Sequence, residues 1–265
     1  MAVIALLSDF GLRDSYVSEM KGAILSINPN ATIVDITHEV DKYNVRMGAF
    51  VLASASKSFP KGTIYVAVVD PGVGGERKGL LVEAGGDFFV GPDNGVLMLA
   101  AKSKGITQVY ELTSRRYFRR EVSSTFHGRD VFAPVAAHLS LGVKPRSFGE
   151  PTLSYEEPSF VKAKTLKGEL VCEVVHVDSF GNVITNALPE QAMKLGFSLG
   201  SPLTLTLNQR SHQAVFSKTY SDVPKGKLAV LVGSHGFLEV AENLGSAAKT
   251  LNVKLGSEVK VRAGG

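Results

Sequence analysis

The chain is organised around Val68-Val69-Asp70-Pro71-Gly72-Val73-Gly74-Gly75-Glu76-Arg77. The apolar run that leads into it, 63–69, is rich in β-branched residues and predicts a strand buried on both faces. Pro71 has no backbone N–H and three glycines follow it closely, so the chain must leave the sheet in a sharp turn. Asp70 would then stand at the carboxyl end of a central strand, where open α/β sheets bind ligands. A surface turn with a capping aspartate fits the same residues.

The glycines of this turn match neither common phosphate-binding pattern. G-x-x-x-x-G-K-[ST] fails because Lys78 is followed by Gly79, and G-x-G-x-x-G fails because its last position falls on Arg77. Both patterns also need a helix next, whereas 79–84 reads as another strand. We therefore expect no nucleotide-phosphate loop here.

The segments on either side predict alternating strands and helices. The apolar run 2–7 is followed, after Ser8, by the carboxylate of Asp9, and so repeats the pattern of Asp70. Helical spacing follows from Asp14 or Ser15 to Asn28. Further strands are predicted at 32–36, 80–83, 88–90 and 108–112, and further helices at 44–58, 96–104 and 131–139. This order predicts an α/β N-terminal domain, residues 1–150, with a central, mainly parallel sheet flanked by helices.

The character of the chain changes after Leu141. Residues 142–162 contain several prolines and no helical period, so we place a domain boundary there and a linker at 151–164. The segments that follow are short and alternating: 169–177, 182–185, 203–207, 214–218, 227–232, 237–241 and 258–261. They predict a mainly antiparallel, β-barrel-like C-terminal domain over 165–265, with short helices at 190–195 and 243–251.

Composition limits the classes of partner. A chain of 265 residues with 44% hydrophobic residues can bury a sizeable core, and its net charge of +4 is too weak to indicate nucleic acid. The one basic cluster, 115–120, is interpreted as a solvated loop edge. The only cysteine, Cys172, excludes an intrachain disulfide and is expected in the core. The first residues resemble neither a signal peptide nor a membrane span, so we expect no membrane partner and a cytoplasmic protein.

Polar clusters recur where predicted strands end. They comprise Asp9, Asp70 with Arg77, His127 with Arg129 and Asp130, the run 178–182 and the run 233–237. A metal site is weakly indicated, because no H-x-x-x-H, H-E-x-x-H or D-x-D spacing is present. A serine nucleophile is not expected. The remaining hypothesis is activation of water by an Asp, Arg and His set, in which arginine and histidine stabilise a hydroxide-like nucleophile.

Six motifs occur in an order found in one family. They are Ser8-Asp9-Phe10-Gly11, Val69-Asp70-Pro71-Gly72-Val73-Gly74, Gly91-Pro92-Asp93-Asn94-Gly95, Thr125-Phe126-His127-Gly128-Arg129-Asp130, Asp178-Ser179-Phe180-Gly181-Asn182 and Gly233-Ser234-His235-Gly236-Phe237-Leu238-Glu239. Over nearly its whole length the chain resembles the S-adenosyl-L-methionine (SAM) hydrolases that form adenosine. These are also called SAM hydroxide adenosyltransferases and are relatives of fluorinase and chlorinase.

The resemblance implies an activity and a catalytic set. It implies that SAM is the substrate, that water attacks ribose C5′ and that adenosine and methionine are the products, with no cofactor and no metal. The family's catalytic Asp, Arg and His fall on Asp70, Arg77 and His127, with Asp70 expected to orient the other two. The halogenating relatives carry tyrosine at the positions of Asp70 and His127, so water is the expected nucleophile. A halide-dependent, chlorinase-like transferase and a non-catalytic SAM or adenosine binding protein remain alternatives.

The resemblance also implies binding residues and an assembly. Asp9 matches a ribose contact, Tyr43 an aromatic near ribose and sulfonium, and Phe126 a further substrate contact. Contacts to the methionine ammonium and carboxylate match Asp178 and Ser234, and adenine contacts match Phe180 and Asn182. His235 departs from the arginine of the halogenases, which leaves the carboxylate contact there open. The family implies a homotrimer with each active site between one subunit's first domain and its neighbour's second.

Overall fold

The computed structural model describes residues 3–157 and 163–264. The chain divides into two compact units, Met1–Ser159 and Phe160–Gly265. Residue 2, the predicted start of the first strand, and residues 158–162 of the predicted linker lie outside the described residues, so the predicted domain bounds stay a prediction. In the described part of the chain, no helix combines the length and apolar character needed to cross a membrane.

The first unit is a six-stranded sheet with helices on both faces. The strand order is β2-β1-β3-β5-β4-β6. Neighbouring strands from β2 to β5 run parallel, and β4 is antiparallel to both β5 and β6, so the predicted mainly parallel sheet is confirmed. The strands are β1 Val3–Ser8, β2 Thr32–Thr37, β3 Ile64–Val68, β4 Gly79–Ala84, β5 Asp87–Pro92 and β6 Ile106–Glu111. The helices are α1 Tyr16–Ile27, α2 Val45–Ala55, α3 Met98–Lys104 and α4 Ala133–Ser140.

Strand β3 is buried on both faces, as its unbroken apolar sequence predicts. Ile64, Val66 and Val68 belong to a core shared with α1 and α4. Tyr65 and Ala67 point the other way, into a core shared with α2 and α3. Alternation along the strand therefore explains why no polar residue interrupts the run before Asp70.

The second unit is a closed β-barrel. Its strand order is β14-β10-β11-β12-β13-β9-β8-β7, and seven strands close into a ring because β14 also pairs with β8. All these pairings are antiparallel except that of β11 with β12, which confirms the predicted class. The strands are β7 Lys164–Leu166, β8 Glu169–Val177, β9 Val183–Thr185, β10 Pro202–Leu207, β11 Arg210–Phe216, β12 Leu228–Val232, β13 Leu238–Glu242 and β14 Glu258–Ala263.

Alternation also builds the barrel core. Leu203, Leu205 and Leu207 along β10 join it, together with Cys172 on β8, whose thiol is buried as expected. Burial raises the pKa of Cys172 to about 12, so the thiol stays protonated. Two short helices, α5 Pro189–Lys194 and α6 Ala247–Leu251, accompany the strands. The second begins four residues later than predicted, since 243–246 is a loop.

Candidate active site

Two carboxylates lie at one edge of the first sheet. Strands β1 and β3 are parallel neighbours in which Ser8 pairs with Val68. Asp9 and Asp70 follow these strand ends, as the two apolar runs predicted. The carboxyl ends of parallel strands are where α/β sheets bind ligands, which makes this edge the candidate site.

Asp70, Arg77 and His127 form one hydrogen-bonded cluster. Arg77 Nε donates to both Asp70 carboxylate oxygens at 3.0 Å, and its Nη2 lies 2.5 Å from Oδ2. The same Nη2 lies 2.8 Å from His127 Nδ1. The side chains of Asp70 and Arg77 are only 5% and 12% exposed, so the ion pair is largely shielded from water. The structure thus brings together the three residues predicted to be catalytic.

The geometry fixes the protonation state of the imidazole. A guanidinium can only donate, so His127 Nδ1 must accept, and the ring proton lies on Nε2. Burial, and after it the charge of Arg77, lowers the pKa of His127 below its ordinary value of 6.5, although Asp70 acts in the opposite direction. His127 is therefore neutral near pH 7 and presents an N–H donor.

The turn that carries Arg77 depends on a glycine. Gly74 has a φ of +77°, and a Cβ atom built there would lie 2.1 Å from the backbone oxygen of Ser124. The turn after β3 therefore packs directly against the segment that leads to His127. Only glycine combines this φ with so close an approach.

Hydrogen bonds among Ser123, Arg129 and Asp130, together called the clasp, hold the segment around His127. Directly after it, Gly128–Phe132 forms a π-helical turn, a feature found most often at functional sites. Asp130, which is fully buried, accepts from Arg129 Nε at 2.7 Å, from Arg129 Nη2 at 2.9 Å and from the Ser123 N–H at 2.9 Å. Although burial alone raises the pKa of Asp130, these bonds keep it below its ordinary value.

Arg129 extends the clasp to helix α1. Its Nη1 donates to Glu19 Oε2 at 2.7 Å, and its guanidinium carbon lies 4.9 Å from the centre of the Phe126 ring. Phe126 also makes edge contacts with Phe10 and Tyr16 at centroid distances of 5.6 and 5.3 Å. The residues on both sides of His127 are therefore anchored.

A small cavity adjoins the cluster. It measures about 40 Å³ and is lined by Phe10, Val68, Asp70, Val73, Thr125, Phe126, His127 and Gly128. One molecule of liquid water occupies about 30 Å³. The cavity therefore has room for at least one water, with one carboxylate and one imidazole in its wall.

Asp9 and Tyr43 meet beside this edge. Asp9 is 6% exposed, and its Oδ2 accepts the Tyr43 N–H at 2.8 Å. Lys42 Nζ donates to the Asp9 backbone oxygen. Tyr43 has a φ of +65°, which is uncommon outside glycine, and the residue is 72% exposed. Their predicted contacts with ribose stay a prediction.

The four predicted binding residues of the second unit also lie together. Asp178, Phe180, Asn182 and Ser234 line a cavity of about 910 Å³, together with Tyr220, Glu242, Asn243, Leu244, Gly245, Ser246 and Lys249. The Asp178 carboxylate accepts the N–H groups of Phe180 and Asn182 at 3.0 and 2.9 Å and the Asn182 side-chain amide at 2.9 Å. A carboxylate has about four acceptor positions, so Asp178 keeps roughly one for a ligand.

His235 is occupied within its own loop. Its Nδ1 accepts the Phe237 N–H at 3.1 Å, and its Nε2 lies 3.0 Å from Glu239 Oε2. Tyr220 donates its hydroxyl to the other oxygen of Glu239 at 2.8 Å. Sequence reasoning missed Tyr220 and Glu239. The only signal was that Glu239 ends the motif that begins at Gly233.

One serine motif occurs in the wrong setting. Gly196-Phe197-Ser198-Leu199-Gly200 matches G-x-S-x-G, a pattern that the expectation of no serine nucleophile overlooked. It lies between α5 and β10, whereas the nucleophile of that motif sits on a strand-to-helix turn. Ser198 Oγ lies 3.0 Å from Ser201 Oγ. The motif therefore lacks the context that would make it catalytic.

Within residues 3–157 and 163–264, no three His, Cys, Asp or Glu side chains are grouped so as to hold a metal ion. The described residues therefore give no support to the metal-site hypothesis.

Comparison with known proteins gives full-length matches. A family model described as the SAM hydroxide adenosyltransferase N-terminal domain matches residues 4–149, and one described as its C-terminal domain matches 172–260. An (R)-S-adenosyl-L-methionine hydrolase from Salinispora tropica is 39% identical over 98% of both chains. An uncharacterized conserved protein from Thermotoga maritima, of known crystal structure, is 41% identical, with a TM-score of 0.95 over 98% of this chain and 100% of that one. A fluorinase from Nocardia brasiliensis is 29% identical over 99% of this chain and 97% of its own.

Proposed function

Because the chain belongs to the SAM hydroxide adenosyltransferase family, we propose that it hydrolyses S-adenosyl-L-methionine at ribose C5′. The products are adenosine, L-methionine and one proton. The observation that carries this proposal is the Asp70–Arg77–His127 cluster beside a cavity with room for one water. The Salinispora relative is named for the R form of SAM, and we propose the same form as the substrate here.

The reaction needs no general acid, but it does need an activated nucleophile. The bond from C5′ to the sulfonium sulfur breaks and sulfur takes the electron pair, so methionine leaves neutral at sulfur and needs no proton. Water forms the new C–O bond and loses one proton. Charge is cancelled as an oxygen nucleophile approaches a sulfonium, so a shielded site that holds water in line with C5′ favours the reaction. This route needs neither a metal nor an organic cofactor.

Each member of the cluster has a proposed role. The guanidinium of Arg77 and the Nε2–H of His127 stabilise the developing hydroxide as preorganised donors. Asp70 fixes Arg77 through three contacts, and its carboxylate is the anionic group in the wall of the small cavity. We assign it the proton that water loses, since Nδ1 of His127 already accepts from Arg77.

The same carboxylate opposes halide. A chloride ion in the small cavity would lie against Asp70, and two negative charges 4 Å apart repel by about 4 kcal/mol at an effective dielectric constant of 20, before the opposing attraction of Arg77 is counted. Water has no such penalty. This argument favours hydrolysis over the halide-dependent alternative.

The remaining predicted residues are proposed to hold the substrate. Asp9, Tyr43 and Phe126 would bind the ribose side, and the cavity lined by Asp178, Phe180, Asn182 and Ser234 would bind adenine and the methionine end. We also propose the homotrimer that the resemblance implies, with each site completed by the neighbouring subunit. Analytical sedimentation of the purified chain tests the oligomeric state. We expect a trimer, and a monomer would contradict the proposal. The cytoplasmic location stays a prediction.

Incubation with SAM tests the function. The purified chain is given the R and S forms of SAM separately, with and without chloride, and products are separated by liquid chromatography and mass spectrometry. We expect adenosine and methionine in equal amounts, faster from the R form, and no effect of chloride. Formation of 5′-chloroadenosine would favour the halide transferase, and binding of SAM without products would favour the non-catalytic alternative.

A further inference from the structure

Glu239 is a buried carboxylate outside the proposed catalytic cluster. It lies on β13, where it pairs with Leu231 of β12 and Ile184 of β9, and it is 3% exposed. It accepts one hydrogen bond from the Tyr220 hydroxyl at 2.8 Å and one from His235 Nε2 at 3.0 Å. A buried carboxylate needs such donors, and here each of its oxygens has one.

One arm of this network shapes the loop between β12 and β13. His235 Nδ1 accepts the Phe237 N–H, so the imidazole bridges the loop backbone and Glu239. The Gly233 N–H donates to the Phe237 oxygen at 3.0 Å, which closes the loop. A Cβ atom on Gly233 would lie 2.3 Å from His235 Nε2 and 2.5 Å from Glu239 Oε2. The loop therefore has room for this bridge only because residue 233 is glycine.

The other arm fixes the Tyr220 ring. Burial, followed by the hydrogen bond to Glu239, raises the pKa of Tyr220 to about 12, so the hydroxyl stays protonated and donates. Tyr220 and Ser234 both line the cavity of about 910 Å³ in the second unit. Neither Glu239 nor His235 is among the residues that line it. The Glu239 carboxylate thus holds in place Tyr220 and the loop that carries Ser234, both of which line this cavity, although Glu239 itself does not line it.

We propose that Glu239 is a positioning residue for substrate binding. It sets the Tyr220 ring and the loop that carries Ser234 in the arrangement that binds the adenosyl and methionyl groups. This inference rests on the proposed function for the identity of the ligand. It also predicts that His235 does not bind the methionine carboxylate as the arginine of the halogenases would, because the network uses both of its ring nitrogens.

Two substitutions separate positioning from charge. In Glu239→Gln the amide oxygen can still accept from His235, and the amide N–H can donate to the Tyr220 oxygen, so both contacts survive without the charge. Glu239→Ala removes both contacts. We expect the glutamine variant to keep most of the affinity for adenosine and SAM, and the alanine variant to lose about tenfold or more, because donors are left unpaired.

Tyr220→Phe is the milder variant if Glu239→Ala fails to fold. It breaks only the ring arm, and we expect a smaller loss of affinity, about three- to tenfold. Adenosine affinity is measured by calorimetry, which does not depend on turnover, and the KM and kcat for SAM are measured beside it. We expect KM to rise much more than kcat falls, since the network contains none of the three residues proposed to act on the attacking water.

A long-range ¹H–¹⁵N spectrum of the histidines gives a signature of the network itself. We expect His235 to carry its proton on Nε2 in the wild type and in Glu239→Gln, and to lose that fixed tautomer in Glu239→Ala. Equal losses of affinity in the glutamine and alanine variants would show that charge matters, and unchanged affinity in Glu239→Ala and Tyr220→Phe would show no role. Either result overturns the inference. Failure of the wild type to release adenosine would instead count against the proposed function.

Discussion

Replacing Arg77 with lysine keeps the positive charge and removes the planar guanidinium that joins the other two residues of the proposed catalytic set, Asp70 and His127. Arg77 reaches Asp70 through Nε and Nη2 and reaches His127 through the same Nη2. A lysine ammonium is a single point on a flexible stem and cannot reproduce this planar arrangement. We expect it to pair with Asp70 and to leave Nδ1 of His127 without its donor, so that neither donor to the nucleophile is held in place.

The expected loss is large and confined to the chemical step. Loss of one preorganised donor typically costs about 10²–10³ in kcat, or roughly 2.7–4 kcal/mol of transition-state stabilisation. Arg77→Lys should therefore lower kcat for adenosine release by that factor. SAM affinity, measured by calorimetry, should change less than about threefold, since an interaction made only in the transition state does not contribute to substrate binding.

The neighbouring residue gives a matched control. Lys78 forms a partly exposed ion pair with Glu111 at 3.1 Å, and surface pairs of this kind contribute only about 0–1 kcal/mol. Lys78→Ala should keep near-normal turnover and thermal stability. The reasoning would be refuted if Arg77→Lys retained more than about a third of the wild-type kcat, or if its loss of activity were matched by an equal loss of SAM binding.

Three further predictions concern the residues that place and charge the cluster. Because the pKa of His127 is held below 6.5, kcat/KM should be level near pH 7 and fall only at more acidic pH, where the imidazole gains a proton; an acid limb centred above pH 7 contradicts this. Gly74→Ala should destabilise the fold to urea by about 1–3 kcal/mol more than Gly62→Ala, because both have positive φ but only Gly74 faces a close backbone oxygen; equal losses would count against the packed turn. Arg129→Ala removes the main partner of the fully buried Asp130 and should cost about 3–5 kcal/mol in thermal unfolding, whereas a loss below about 1 kcal/mol would argue against the clasp.

The sequence carried the information that places the first half of the site. An unbroken apolar run of this length favours a strand buried on both faces, and β1 and β3 both match that prediction. Two such strands in a parallel sheet necessarily bring Asp9 and Asp70 to one edge. The turn at Gly74 could also be predicted from the sequence, because a proline followed by closely spaced glycines favours a sharp turn over a continued strand or helix.

Other features depend on contacts that no local pattern reports. Arg129, within the π-helical turn after His127, donates a hydrogen bond to Glu19, which lies 110 residues away in the sequence. Tyr220 precedes β12 and meets Glu239 of β13 only through the tertiary fold, so neither residue stood out along the chain. Local pattern also misleads in the opposite direction, since the G-x-S-x-G match at Ser198 lies in a loop with no catalytic setting.

Reaction in H₂¹⁸O tests most directly whether water attacks the ribose carbon. We expect each adenosine released from SAM to carry one ¹⁸O atom at O5′, with none in the methionine. Release of unlabelled adenosine, or ¹⁸O in the methionine fragment instead, would mean that another nucleophile or another carbon is involved. Either result would contradict the role given to Asp70, Arg77 and His127.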